Sequence, residues 1–228
     1  MRTNLIGETF TEVIKPKKQK AEDTTIHIIH ILDASSSMHG AKFNAAKSGM
    51  DEELSAIKEE NNSINYTYSV IEFGSSNNIK TIIEKKDARA LDVKQIPLFS
   101  PSGMTALYDA IGYTLAGFKC EKEDKVIVKI FTDGEENNSC DYSGKQKIVK
   151  ELISSKESEG WVITFVGTDR DVEKVISTMG VTRNNTLKYN GTAQGLRSSY
   201  STANSSRAMY AKAVLDGNDN NMNFFQQN

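Results

Sequence analysis

The 228 residues include only two cysteines, three histidines and one tryptophan, and no long apolar run. Each scarcity removes a class of explanation. Cys120 and Cys140 have neither CxxC nor Cys/His spacing, which argues against a zinc site. Sequence gives no distance between them, so a disulfide stays open, with free thiols the default in a reducing compartment. No apolar stretch approaches the roughly 18 residues that a membrane span needs, and no segment reads as a signal peptide, so a cytoplasmic location is expected. Neither charge dominates, with 28 basic against 30 acidic residues, which argues against a nucleic-acid or membrane surface built on bulk charge. The aromatic residues form no spaced basic–aromatic stripe of the kind a single-strand binder uses. A Walker-type glycine loop and a legible Ser/His/Asp nucleophilic set are also missing.

What is present reads as one large α/β domain with extensions. Residues 1–23 are polar and weakly periodic, interrupted by Pro16, and carry the basic run Lys15–Lys20; they read as an N-terminal arm. The folded unit is expected over 24–213. Strands are predicted at Ile26–Leu32, Tyr66–Phe73, Ile79–Ile83, Lys125–Thr132, Trp161–Val166 and Thr186–Tyr189. Helices are predicted at Gly40–Glu60, Ala106–Phe118, Gly144–Glu159, Asp171–Met179 and Gly191–Ala213, and a short one near Asp87–Val93. In the first of these, Phe43, Ala46, Met50, Leu54 and Ile57 make one apolar stripe. The alternation of strand and helix implies βα units on a mostly parallel sheet with helices on both faces. The short Ser/Asn turn before Ile79 implies a hairpin and hence one antiparallel edge strand. Residues 214–228, rich in Asn, read as a disordered tail.

The organising stretch is Ile26–Met38, IHIIHILDASSSM. A strand buried on both faces runs into Asp33, Ser35 and Ser37, three alternate residues that each offer oxygen. The carboxyl end of a central strand is where open α/β sheets hold ligands, and hard oxygens suit a hard divalent cation. Two more stretches offer oxygen at element ends: Thr105 after Ser102-Gly103, and Asp133 before Gly134.

Taken together, Asp33-x-Ser35-x-Ser37, Thr105 and Asp133-Gly134 resemble the metal-ion-dependent adhesion site (MIDAS) of von Willebrand factor type A (vWA) domains. The resemblance covers about residues 24–200 and implies the Rossmann-like vWA fold. It implies Mg²⁺, with Mn²⁺ or Ca²⁺ as substitutes, bound directly by Ser35 and Ser37 and directly or through water by Asp33, Thr105 and Asp133. One coordination position would be left for the carboxylate of a partner's Asp or Glu. The function implied is non-catalytic, cation-dependent protein binding. Two alternatives stand beside it: a scaffold of the same fold whose interface ignores the metal, and a phosphotransferase of the haloacid dehalogenase type. The second also needs an Asp two residues after the first, where this chain has Ser35. An RNA-associated member of the family would expect a basic surface, which the charge balance does not favour. Around the site, Glu135 and Glu136 read as a solvated loop, Asp109 as either a support or a helix-surface residue, and His39 as a surface loop residue. His27 and His30 read as packed or hydrogen-bonded strand residues on opposite faces.

Overall fold

The computed structural model describes residues 24–98, 100–219 and 223–225. The N-terminal arm read from the sequence lies outside them. Six strands form one sheet in the order β3-β2-β1-β4-β5-β6. They are β1 (Thr25–Asp33), β2 (Asn65–Phe73), β3 (Ile79–Asp87), β4 (Lys125–Phe131), β5 (Val162–Thr168) and β6 (Thr186–Tyr189). All pair in parallel except β3, which runs antiparallel to β2 at the edge. The hairpin expected from the Ser/Asn turn is therefore present.

Five helices cover the two faces: α1 (Ala41–Glu59), α2 (Leu107–Gly117), α3 (Gln146–Ser158), α4 (Asp169–Met179) and α5 (Ala193–Asp216). On one face Ile26, Ile28 and Leu32 of β1 join Met50, Leu54 and Ile57 of α1 and Leu196, Tyr200 and Ala203 of α5. On the other, Ile29 and Ile31 join Ile111 and Leu115 of α2, Val149 and Ile153 of α3 and Val172 and Val175 of α4. This is why β1 has no polar alternation: both of its faces are inside. Each fully buried aliphatic side chain contributes about 1.5–3 kcal/mol, so this strand is, with β4, a principal apolar anchor of the fold. α1 and α5 approach closely at Gly49, where an added Cβ would stand 2.2 Å from the Tyr200 ring.

One expectation needs correction. The segment near Asp87–Val93 is not a helix: β3 continues to Asp87 across irregular pairing with β2, and only a 3-10 turn at Val93–Gln95 follows. Of the Asn-rich tail expected over 214–228, the described residues are 214–219 and 223–225. α5 runs to Asp216, and Phe224 and Phe225 are buried, with the Phe225 N–H donating to the Asn184 carbonyl at 3.0 Å.

Strand order reverses around β1, with β2 on one side and β4 on the other. The crevice at the carboxyl ends of β1 and β4 is thus the topological switch point of the sheet.

Candidate metal centre

Asp33 ends β1, and the chain turns at once through a 3-10 turn at Ser36–Met38 before α1 begins. The turn is tied down at its start. Asp33 Oδ1 accepts the Ser35 N–H at 2.7 Å, and Ser36 donates its N–H and its hydroxyl to the Gly103 carbonyl at 3.1 and 3.0 Å. The second contact joins the β1 turn to the loop that carries Thr105. Gly103 has φ +78, a conformation that disfavours a side chain, and an added Cβ would stand 2.6 Å from Ser75 Oγ.

The five residues proposed from the sequence converge. Ser35 Oγ lies 2.9 Å from Ser37 Oγ, and Ser37 donates its hydroxyl to Asp133 Oδ1 at 2.6 Å. Gly134 gives the best measure of the convergence. A Cβ placed there would stand 2.9 Å from Thr105 Oγ1, 3.5 Å from Asp33 Oδ2 and 3.5 Å from Ser37 Oγ. Three oxygens from two separate stretches, the β1 turn and the Thr105 loop, therefore face one point on a third that only the lack of a side chain keeps open. Asp33, Ser35 and Thr105 are buried, while Ser37 is exposed, so the cluster opens to solvent on one side.

The electrostatics favour a cation. Burial pushes the Asp33 carboxyl up to about 6; hydrogen bonds from Ser35 and Thr132 oppose the shift and the Asp133 charge adds to it. Tyr189 has a buried hydroxyl with no hydrogen-bond partner among the described residues. Burial first, then the charges of Asp133 and Asp33, hold that phenol well above its ordinary pKa, so it stays protonated. The donor set, two carboxylates and three hydroxyls, fits a hard divalent ion: the carboxylates match its charge and the hydroxyls add coordination without more. Among the described residues no group of three or more His, Cys, Asp or Glu side chains is placed to hold a metal ion, so a site on Asp33 and Asp133 would draw its further ligands from the hydroxyls.

Several supporting residues were not identified from the sequence. Thr132 donates its hydroxyl to Asp33 Oδ2 and accepts the Gly134 N–H at 3.1 Å, fixing both across the β1–β4 boundary. Asn137 Oδ1 accepts the Thr105 N–H at 2.8 Å. Lys42, in the first turn of α1, is ion-paired with Asp133 Oδ2. Thr132 adjoins a predicted ligand and offered a local clue; Asn137 and Lys42 offered none.

The neighbouring acidic residues divide. Asp109 is fully buried and accepts the N–H groups of Cys140 and Tyr142 at 2.7 and 2.8 Å, so it is a loop anchor and not a helix-surface residue. Glu136 likewise accepts the N–H groups of Tyr108, Asn138 and Ser139 at 2.9, 2.9 and 2.7 Å. Glu135 pairs with Arg170 near the surface, and His39 is exposed, as expected. His27 contacts Thr67 and Asp124, and His30 contacts Glu53 and Tyr68 on the opposite face, so both are hydrogen-bonded strand residues. Both cysteines are free. Among the described residues no helix is long and apolar enough to cross a membrane.

No protein-family model and no curated protein matches the chain. Solved structures do. Proximal thread matrix protein 1 from the mussel byssus, in a form with a zinc-occupied MIDAS motif, aligns with TM-score 0.58 and 18% identity over 85% of this chain and 48% of its own. A second crystal form of that protein aligns with TM-score 0.57 and 18% identity over the same shares. The pilus adhesin SpaC from Lactobacillus rhamnosus GG, in an open conformation, aligns with TM-score 0.60 and 14% identity over 85% of this chain and 30% of its own. The chain thus spans about half or less of the length of these proteins. Its fold is α/β and vWA-like: a mixed, mostly parallel six-stranded sheet between helices.

Proposed function

We propose that this domain is a divalent-cation-dependent, non-catalytic protein-binding module. Asp33, Ser35, Ser37, Thr105 and Asp133 would hold the ion, with Mg²⁺ the natural occupant of an all-oxygen set and Mn²⁺ or Ca²⁺ as substitutes. The bound ion would supply a fixed positive charge with a position open to an incoming carboxylate. The partner is then a protein presenting an Asp or Glu, and neither nucleic acid nor a membrane is required. The observation that carries this reading is the convergence of Thr105, Asp33 and Ser37 oxygens around Gly134, at the open end of the switch-point crevice. The zinc-occupied MIDAS of the mussel protein, which shares the fold, supports occupation by a divalent ion. The adhesive and structural character of the neighbours supports binding over catalysis.

The test is a pull-down from native lysate in Mg²⁺ and again in EDTA, with Asp33→Ala as control. A partner retained by the wild type in Mg²⁺ alone supports the module. Partners indifferent to both EDTA and the substitution overturn it in favour of a scaffold. Calorimetry gives the direct check on the ligand set: Asp33→Ala and Thr105→Ala should stay folded and lose Mg²⁺ binding, and full affinity in both variants would refute the assignment.

A further inference from the structure

Lys42 is placed where its own helix does not want it. It lies in the first turn of α1, a turn with no acidic residue, so its charge faces the positive end of the helix dipole. What it gains is Asp133. That carboxylate has a side chain only 1% exposed, and its two oxygens are taken by the Ser37 hydroxyl and the Lys42 ammonium. A buried carboxylate is costly without an opposite charge, and Lys42 is the cation within ion-pair distance of it among the described residues. The lysine side chain itself is 27% exposed, so the ammonium has a way out to solvent that Asp133 lacks.

We propose that Lys42 is a built-in counter-ion of this centre: it neutralises Asp133 when the metal is absent and must give way when a divalent ion loads. The inference rests on the proposed metal site and deepens it. Asp33 and Asp133 carry two negative charges, which the ammonium half compensates and a divalent ion compensates in full. An ion and Lys42 cannot both sit on Asp133 without like-charge repulsion, so loading includes the work of releasing the lysine. The consequence is a threshold: the site stays closed to weakly binding cations at low concentration and remains folded while empty. The two effects have opposite signs, which makes the role separable from plain structural support. Without the ammonium, the metal-free protein should be less stable and the metal should bind more tightly.

The experiment is calorimetric titration of Mg²⁺ alone into wild type, Lys42→Met, Lys42→Arg and Asp33→Ala, with thermal unfolding of each in EDTA and in saturating Mg²⁺. Lys42→Met should bind Mg²⁺ about tenfold or more tightly than wild type, the order of effect expected of one unit charge at ion-pair distance in a partly solvated site. It should also melt lower than wild type in EDTA and recover in Mg²⁺. Lys42→Arg, which keeps the charge, should bind like wild type. If Lys42→Met binds Mg²⁺ equally or more weakly while wild type binds and Asp33→Ala does not, the counter-ion role is wrong and the metal site stands. If neither wild type nor Lys42→Met binds Mg²⁺, the metal site and this inference fail together.

Discussion

Replacing Glu53 by Gln should cost as much stability as truncating a large apolar side chain of α1. Glu53 projects from α1 into the sheet and is fully buried, as are His30 on β1 and Lys129 on β4, with Arg207 on α5 1% exposed. Its Oε2 lies 2.8 Å from His30 Nε2 and accepts the Tyr68 hydroxyl at 3.3 Å. Its Oε1 takes Lys129 Nζ and faces Arg207 Nε at 3.6 Å. Burial alone would raise the Glu53 pKa; the Lys129 charge, the His30 hydrogen bond and the Arg207 charge overcome it and hold the carboxyl well below its usual range. Gln keeps the shape and removes the charge, leaving Lys129 without an anion in a site of low dielectric. Breaking one partner of a buried pair in this way costs about 3–5 kcal/mol, against a total stability of order 5–15. Urea unfolding should therefore show a large fall in midpoint at unchanged slope. The double variant Glu53→Gln/Lys129→Met should regain most of the loss, because removing the stranded ammonium with its anion leaves an apolar replacement. The signs of the pH effects agree. Glu53 is depressed below 4.5, so its contribution is present above that value and lost as pH falls. His30 is depressed below 6.5 mainly by burial, so the unfolded chain binds its proton first and stability declines as pH drops through that value. A Glu53→Gln protein within about 1 kcal/mol of wild type would refute this account of the network.

Asp33→Asn should abolish Mg²⁺ binding and yet stabilise the metal-free protein. The folded carboxyl is pushed up to about 6 from 3.8, so the folded state binds more protons in that interval and wild-type stability falls as pH rises through it. Asn carries no such penalty, which is worth at most ~3 kcal/mol above pH 6. Unfolding in EDTA at pH 7.5 and pH 4 should show the variant's advantage shrinking toward acid; a constant or absent advantage would count against the burial argument. Gly134→Ala tests the cradle itself. Gly134 is not among the glycines with positive φ, so Ala meets no backbone strain, and the added methyl instead meets Thr105 Oγ1 at 2.9 Å. Urea midpoints should move by less than about 1 kcal/mol while calorimetric Mg²⁺ affinity falls by roughly tenfold or more; unchanged affinity would place the ion elsewhere.

The fold and the five candidate ligands were legible for a local reason. Buried parallel strands announce themselves as apolar runs, and Ile26–Leu32, Lys125–Phe131 and Val162–Val166 each end on polar residues at the same edge of the sheet. Read together with known vWA domains, those ends named Asp33, Ser35, Ser37 and Asp133, and the Ser102-Gly103 turn before α2 named Thr105. What escaped is non-local. Asp109 stayed open between a support and a helix-surface residue because nothing in its own helix reveals that the loop of Cys140 and Tyr142 folds over it. Lys42 was not singled out at all, since its partner Asp133 comes from a different element. The burial of Phe224 and Phe225 was likewise not singled out, since two phenylalanines among asparagines carry no period. Long-range polar pairing has no period to read, whereas apolar burial does.

The buried charges and the crevice are linked through strand register. His30 and Lys129 are direct neighbours in the β1–β4 ladder, and both bind the same carboxylate of Glu53. Further along the same two strands the chain delivers Asp33 from β1 and Thr132, then Asp133, from beyond β4. The Thr132 hydroxyl reaches Asp33 only if the two strands keep this alignment. A slip of one residue would turn Lys129 toward Val128's side of the sheet, among Ile29, Ile31 and Ile111, with no anion to meet it. Apolar packing alone would resist that slip less, because both faces of β4 carry apolar side chains, Ile127 and Phe131 on one and Val126, Val128 and Ile130 on the other. A buried ion pair adds little net stability over an apolar substitute but strongly penalises the wrong alignment. On this argument Glu53 contributes specificity more than stability. It fixes the relative position of the strands whose ends carry the two carboxylates of the candidate metal centre, from a distance at which it touches neither.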